Sequence, residues 1–465
     1  MSLWIPTLEG RSGPVYRAIV DALAEDVAAR RISPGDRLPP HRDLAWKLKV
    51  TVGTIARAYA EAARQGIVSG EVGRGTFVLD PAQAGGKHVH AYVAARPLEG
   101  DGIIDMAINR PSGDNSAGPV AEALRRLADH PDLGHLLGYQ IDSAQVRYRQ
   151  AGAAWMEREG VAISHDRVVV TVGGQQAIVA ILAAVTRPGD AVLAEELTYP
   201  GLKVAAGMLD RSVEGVPMDQ DGILPDALEQ AVAGRPGRVL YCMPSNQNPT
   251  VITMSMARRQ AIAAVMRRHD GLIVEDGIYA FLADNPPPPI WTLAPERTLY
   301  ISTPSKTVAP ALRIGFVAAP QHLATRVSAN VSASAIMVPT PMSEIFAMLM
   351  ESGQAFLAAD AQKAEARARI ALAGDILGRA ACPPNPSMNL WLPLPPPWRA
   401  DSFAAEAYRR GVVISPAGSF STTRRVPEAV RISVSAPRTR GELRQGLEII
   451  RDMLACPPLT MGMMV

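Results

Sequence analysis

Cysteine is scarce: Cys242, Cys382 and Cys456 are scattered through 465 residues with no CxxC spacing. An odd, widely separated set does not make a disulfide framework or a zinc group, so these are expected to be buried thiols. His88 and His90 have no further ligand-type neighbours, so no metal is expected. No apolar run reaches the roughly 18 residues of a membrane span, since Arg, Asp or Gly interrupts the longest ones. Met1–Pro6 lacks a basic segment followed by an apolar core, so no secretory signal is expected and the chain is placed in the cytoplasm. Net charge is also nearly absent, 47 Lys+Arg against 45 Asp+Glu for a balance of +2. No internal repeat is visible. What remains is 48% hydrophobic and 20% charged, the composition of a globular chain of about three domains.

The small positive surplus belongs to the first 80 residues. Within 41–64, Arg42, Lys47, Lys49, Arg57 and Arg64 outnumber Asp43 and Glu61. That is a mild basic patch, suited to nucleic acid or simply to a solvated helix. Val15, Ile19, Leu23 and Val27 recur at helical spacing over 13–31. Ile32-Ser33-Pro34-Gly35-Asp36 is turn chemistry. Helices are expected at about 40–48 and 53–65, then two short strands, 67–70 and 75–79, around Glu71-Val72-Gly73-Arg74. Three helices and a two-stranded wing make a winged helix–turn–helix over 1–80. Residues 81–102, rich in Ala, Gly, Pro and His, read as a linker.

From 103 to 465 strands alternate with helices. Continuous apolar runs at 167–171, 191–194, 239–242, 272–275, 299–301 and 314–317 suit strands covered on both faces, and predict an α/β doubly wound, mostly parallel sheet. A large lobe is expected over about 130–335. A smaller α+β lobe is expected over about 340–455, together with the segment just after the linker.

Candidate chemistry clusters where those strands end, the usual ligand position of open parallel sheets. Leu299–Ile301 delivers Lys306, whose amine suits a Schiff base with an aldehyde cofactor. Asp276, after Leu272–Glu275, can pair with a protonated pyridine nitrogen or form a structural ion pair. Gly173-Gly174-Gln175 joins a strand to a helix, an arrangement for holding phosphate, though tight turns use it too. Asn248 and Tyr279 can reach a ring oxygen, and Tyr199 offers a stacking face. Arg313 can add a charge to a phosphate. Arg431 can grip a carboxylate in a forked pair or lie solvated on an edge strand.

In this order, these residues resemble the fold type I aminotransferases that use pyridoxal 5'-phosphate (PLP), over nearly all of 103–455. The resemblance implies that Lys306 carries PLP and Asp276 holds its ring nitrogen. Asn248 and Tyr279 would bind the ring hydroxyl, Tyr199 would stack, and Gly174, Gln175, Thr303 and Arg313 would hold the phosphate. Arg431 would receive an α-carboxylate. Tyr139 matches the tyrosine lent to the partner subunit's phosphate, which implies a homodimer. Residues 13–79 resemble the GntR winged-helix regulators through Leu38–Ala45, Val50–Ile55 and Gly73–Val78. That implies a DNA face at Arg42, Thr51, Val52, Gly53, Thr54 and Arg57, with Gly73 and Arg74 in the wing. The two modules in this order are similar to the MocR subfamily of GntR regulators. Departures are Val251 and Ala311 in place of glycines, Ile141–Ala144 in place of a Pro/Gly-rich loop, and Val52 where arginine is frequent.

The expectation is therefore a PLP-dependent transcription regulator that binds operator DNA and senses PLP or an amino compound. The alternative is a working aminotransferase with an appended DNA-binding domain.

Overall fold

A computed structural model describes residues 4–8, 14–28, 31–33, 35–64, 67–71, 75–78, 102–113, 116–139, 145–234, 237–423 and 425–456. Gly73 and Arg74, His88 and His90, the Ile141–Ala144 loop and all of the expected linker except Gly102 lie outside them. The chain divides into two units, Met1–Pro97 and Leu98–Val465.

In the first unit, helix α1 (Val15–Ala28) packs on α3 (Val52–Arg64), with α2 (His41–Leu48) between them in sequence. Ile19 and Leu23 of α1 lie one turn apart and are fully buried with Leu44, Ile55, Ala58 and Tyr59. Helix α2 stops at Lys49, which adopts a left-handed conformation (φ 53°) and donates its amide to the Ala45 and Trp46 carbonyls. Thr51 then caps α3 by accepting the Thr54 amide at 3.1 Å. Strands β1 (Val68–Glu71) and β2 (Gly75–Val78) pair antiparallel. Of the outer positions expected to be helical, Pro14 and Arg31 are not, and 13, 29 and 30 lie outside the described residues.

The second unit begins with β3 (Ile104–Asp105). Its main sheet contains β4 (Val168–Thr171), β5 (Ala191–Glu195), β6 (Ser212–Val216), β7 (Val239–Cys242), β8 (Leu272–Asp276), β9 (Thr298–Ser302) and β10 (Gly315–Ala318), in the spatial order β4-β10-β9-β8-β7-β5-β6. All neighbours run parallel except β10, which is antiparallel to both β9 and β4. Strands β4, β7 and β9 are buried along their whole length, as continuous apolar runs require. The edge strand β6 was not anticipated, because Ser-Val-Glu-Gly-Val alternates weakly and is only half covered.

Helix α4 (Gln145–Glu157) and helix α5 (Gly173–Val185) cover opposite sides of this sheet through separate apolar clusters. Helix α6 (Pro200–Met208) follows β5. Helix α7 (Thr340–Glu351), counted above with the small lobe, buries Ile345, Phe346 and Leu349 against Val170 and Phe316 of the large sheet. The long helix α8 (Gln354–Leu377) then leads to a three-stranded antiparallel sheet of β11 (Asn389–Pro393), β13 (Ser415–Pro416) and β14 (Ala429–Ser433), with β14 central. Strand β12 (Val412–Val413) pairs in parallel with β3, so the segment following the linker joins the small lobe. Cys242 is buried, but Cys382 is half-buried and Cys456 is exposed, so burial as expected holds for one thiol of three. Among the described residues no helix is long and apolar enough to cross a membrane.

Candidate functional site

The carboxyl ends of β8 and β9 place the central pair. Asp276 is the last residue of β8 and not, as expected, the first residue after it. Its carboxylate accepts the Tyr241 hydroxyl at 2.6 Å and the Ile278 amide at 3.1 Å. Burial raises its pKa, against the pull of those donors and of Lys306. Lys306 ends the short turn Pro304–Lys306 after β9, and its Nζ donates to the Asn109 carbonyl at 2.6 Å. Burial brings the Lys306 amine down to about 8; the charges of Arg431, Arg313 and Arg110 act in the same direction and Asp276 opposes them. A lysine this far depressed is a competent nucleophile near neutral pH.

A chain of amides crosses the site beside this pair. Asn389 donates its Nδ2 to the Pro249 carbonyl at 2.9 Å, which turns its Oδ1 toward Asn109. Asn109 must then present its own Nδ2, which donates both to Asn389 Oδ1 at 2.9 Å and to the Tyr279 hydroxyl at 3.0 Å. Arg431 is only 8% exposed and lies in the central strand of the small sheet, so the edge-strand alternative does not apply. Its guanidinium donates to Asn248 Oδ1 at 2.8 Å and to the Ala107 carbonyl, and lies over the Phe420 ring at 4.7 Å. Lys306 and Tyr279 thus meet on Asn109, Asn248 joins Ala107 two residues earlier through Arg431, and Asp276 acts on Lys306 by charge.

At the other end of the cluster, helix α5 starts at Gly173, so Gly174 and Gln175, expected to join strand to helix, lie in its first turn. Gly173 has φ +77°, and a Cβ there would lie 2.8 Å from the Arg313 guanidinium, so only glycine fits. Arg313 itself donates to the Val172 carbonyl at 3.2 Å, against the same helix terminus. Free amides, a helix dipole and a guanidinium converge there, a setting for an anion. Gln175 and Thr303 are more committed than their types suggest. Gln175 donates to the Gly201 carbonyl at 2.9 Å and accepts the Tyr199 hydroxyl at 3.2 Å, so it orients the Tyr199 ring. The Thr303 hydroxyl contacts the Ile314 carbonyl and Ser305 Oγ, each at 2.7 Å. Tyr139 is 76% exposed and makes no hydrogen bond to this cluster among the described residues.

The first unit presents a different surface. Arg42 on α2 and Thr51, Val52, Gly53 and Arg57 at the start of α3 are exposed, with Thr54 half-buried. Thr51 and Thr54 share a 2.9 Å hydroxyl contact, and Arg57 lies over the Tyr16 ring at 4.1 Å. Trp46, not singled out from the sequence, is 82% exposed on α2 beside Lys47 and Lys49.

Residues 101–450 match the family described as aminotransferase class I and II, and residues 15–78 match the bacterial regulatory proteins of the gntR family. An uncharacterized HTH-type transcriptional regulator, YdeF of Bacillus subtilis, is 30% identical over 455 residues, covering 97% of this chain and 96% of the relative. The HTH-type pyridoxine biosynthesis transcriptional regulator PdxR of Corynebacterium glutamicum is 28% identical over 303 residues, 63% of each chain. The chain belongs to the MocR-type regulators. The crystal structure of an archaeal alanine:glyoxylate aminotransferase superposes with a TM-score of 0.71 at 23% identity, covering 85% of this chain and 98% of that one, which establishes the fold. A class I and II aminotransferase fold implies dependence on PLP.

In this MocR-type regulator, sequence reasoning passed over Asn109, Asn389, Tyr241 and Phe420. Asparagines carry no periodic signal, and Asn109 meets partners 170 and 280 positions away. Tyr241 was read only as part of a strand, although its spacing from Asp276 across two adjacent parallel strands was available.

Proposed function

We propose that the protein is a cytoplasmic, homodimeric transcription regulator that holds PLP through Lys306 and adjusts its grip on operator DNA to PLP or to an amino compound. The observation that carries this reading is a depressed Lys306 amine within the field of the buried Asp276 carboxylate and of Arg431 and Arg313, at the carboxyl ends of adjacent strands. These residues fit the cofactor. Asp276 would hold the pyridine nitrogen, Asn248 and Tyr279 the ring oxygen, and Tyr199 the ring face. Gly174, Gln175, Thr303 and Arg313 would hold the phosphate, with Tyr139 of the partner subunit completing it. When bound, PLP supplies an aldehyde that captures primary amines. Arg431 would orient an incoming amino compound by its carboxylate, in a forked pair that competes with its bonds to Asn248 and Ala107. Arg42, Thr51, Val52, Gly53, Thr54 and Arg57, with Gly73 and Arg74, would form the DNA face. The name of the Corynebacterium relative favours PLP itself as the signal.

The test is absorbance together with mobility shift. Incubation with PLP is expected to give a band near the visible edge that Lys306→Ala abolishes, and to change affinity for the protein's own promoter. A colourless wild type, or an unchanged band in Lys306→Ala, overturns the reading. A complete Lys306, Asp276 and Arg431 set also permits the enzyme alternative, which predicts fast multiple turnover on an amino-acid panel.

A further inference from the structure

Helix α3, the second helix of the helix–turn–helix and thus its recognition helix, has a bare outer face. Its exposed positions are Val52, Gly53, Ala56, Arg57, Ala60 and Ala63, spaced as one helical face. Arg57 is the one charged residue among these exposed positions, and its guanidinium lies over the Tyr16 ring at 4.1 Å. The Thr51 and Thr54 hydroxyls are engaged with each other in the cap. The first turn therefore presents no amide or guanidinium fork to a base edge, and its most prominent group is the isopropyl of Val52, 46% exposed.

Gly53 adds an independent observation. It lies within a helix, where glycine is less stable than alanine. A Cβ there would meet nothing closer than Thr51 Oγ1 at 3.7 Å, an ordinary contact. Among the described residues nothing inside the domain needs glycine at this position, which leaves its bareness to serve a partner outside.

We propose that Val52 and Gly53 specify thymine. Residues at the start of a recognition helix face base edges in the major groove. The feature of that groove suited to an apolar side chain is the thymine C5-methyl. Val52 packs its methyls on that group, and Gly53 lets the helix backbone approach closely enough for the contact to be dry. Arg42, Lys47 and Lys49 grip phosphates and set the depth without choosing the base. The operator half-site thus carries an invariant thymine opposite Val52, where an arginine at the same position would select guanine. This rests on the DNA-binding reading of the first unit.

The experiment selects duplexes from a random library with the full-length protein. Each thymine of the selected site is then replaced, one at a time, by deoxyuridine, which lacks only the methyl. One thymine per half-site is expected to lose about fourfold in affinity on this change, and both together roughly fifteenfold. Val52→Ala is expected to weaken wild-type sites by a similar factor and to add nothing on the deoxyuridine duplex. Gly53→Ala is expected to weaken selected sites while melting no lower than wild type, the opposite of a structural defect. Val52→Arg is expected to reselect guanine at that position. Binding to unselected duplex with a normal salt dependence checks the DNA-binding reading separately. The proposal is overturned if no thymine responds to deoxyuridine, if Val52→Ala weakens selected and unselected DNA equally, or if no sequence is selected.

Discussion

Raising the pH is expected to load Lys306 with PLP faster until about pH 8 and then to stop helping. Only the neutral amine attacks an aldehyde, and the Lys306 amine titrates at about 8 in place of the usual 10.5. At pH 7 roughly one Lys306 in ten is neutral, against about one in three thousand for an unperturbed lysine. The capture rate therefore rises close to tenfold per pH unit below 8 and levels off above it, whereas an unperturbed lysine keeps gaining well into alkaline buffers. The causes can be separated by substitution. Arg431→Met removes a positive neighbour, so the amine titrates higher, the plateau moves to more alkaline pH and capture at neutral pH slows. Asp276→Asn removes a carboxylate that opposes the shift, so the plateau moves the other way. Stopped-flow absorbance at the visible edge, from neutral to alkaline buffers, measures all three proteins. A rate that climbs without levelling in wild type, or a plateau unmoved by Arg431→Met, refutes the electrostatic account.

Asp276→Asn is also expected to weaken equilibrium PLP binding roughly ten- to a hundredfold by removing a charge-assisted hydrogen bond, read by dialysis and absorbance. Gly201→Ala places a Cβ 2.2 Å from the Tyr199 ring and 2.3 Å from Gln175 Oε1. It is expected to cost about 1–3 kcal/mol of stability and to loosen PLP, measured as melting temperature and cofactor affinity. Arg42→Ala is expected to lower the slope of log affinity against log salt by about one per bound head, equally on all duplexes.

Much of the architecture was legible because the buried strands are uninterrupted apolar runs whose last residues bear the chemistry. Lys306, Asp276 and Gly174 were found by their place after such runs, with no need of partners. Edge strand β6 escaped because half-covered strands carry weak patterns. What the sequence does not encode locally is commitment. Gln175 and Thr303 have the right types for a phosphate, but the fold gives their polar atoms neighbours of their own. Arg431 could be named, but its place on a central strand depends on pairing Trp391 and Ser415 from either side. Asn109 escaped for the reason opposite to Lys306: its role exists only through distant partners.

The backbone at Ala107 and Asn109 ties the site to the first strand of its own unit. Their carbonyls receive Arg431 and Lys306, and the polypeptide running back from them through β3 is the stretch that leads toward the reading head. An occupant that drew either cation away would strip a backbone carbonyl of its partner just after β3, so pocket and exit segment share one anchorage.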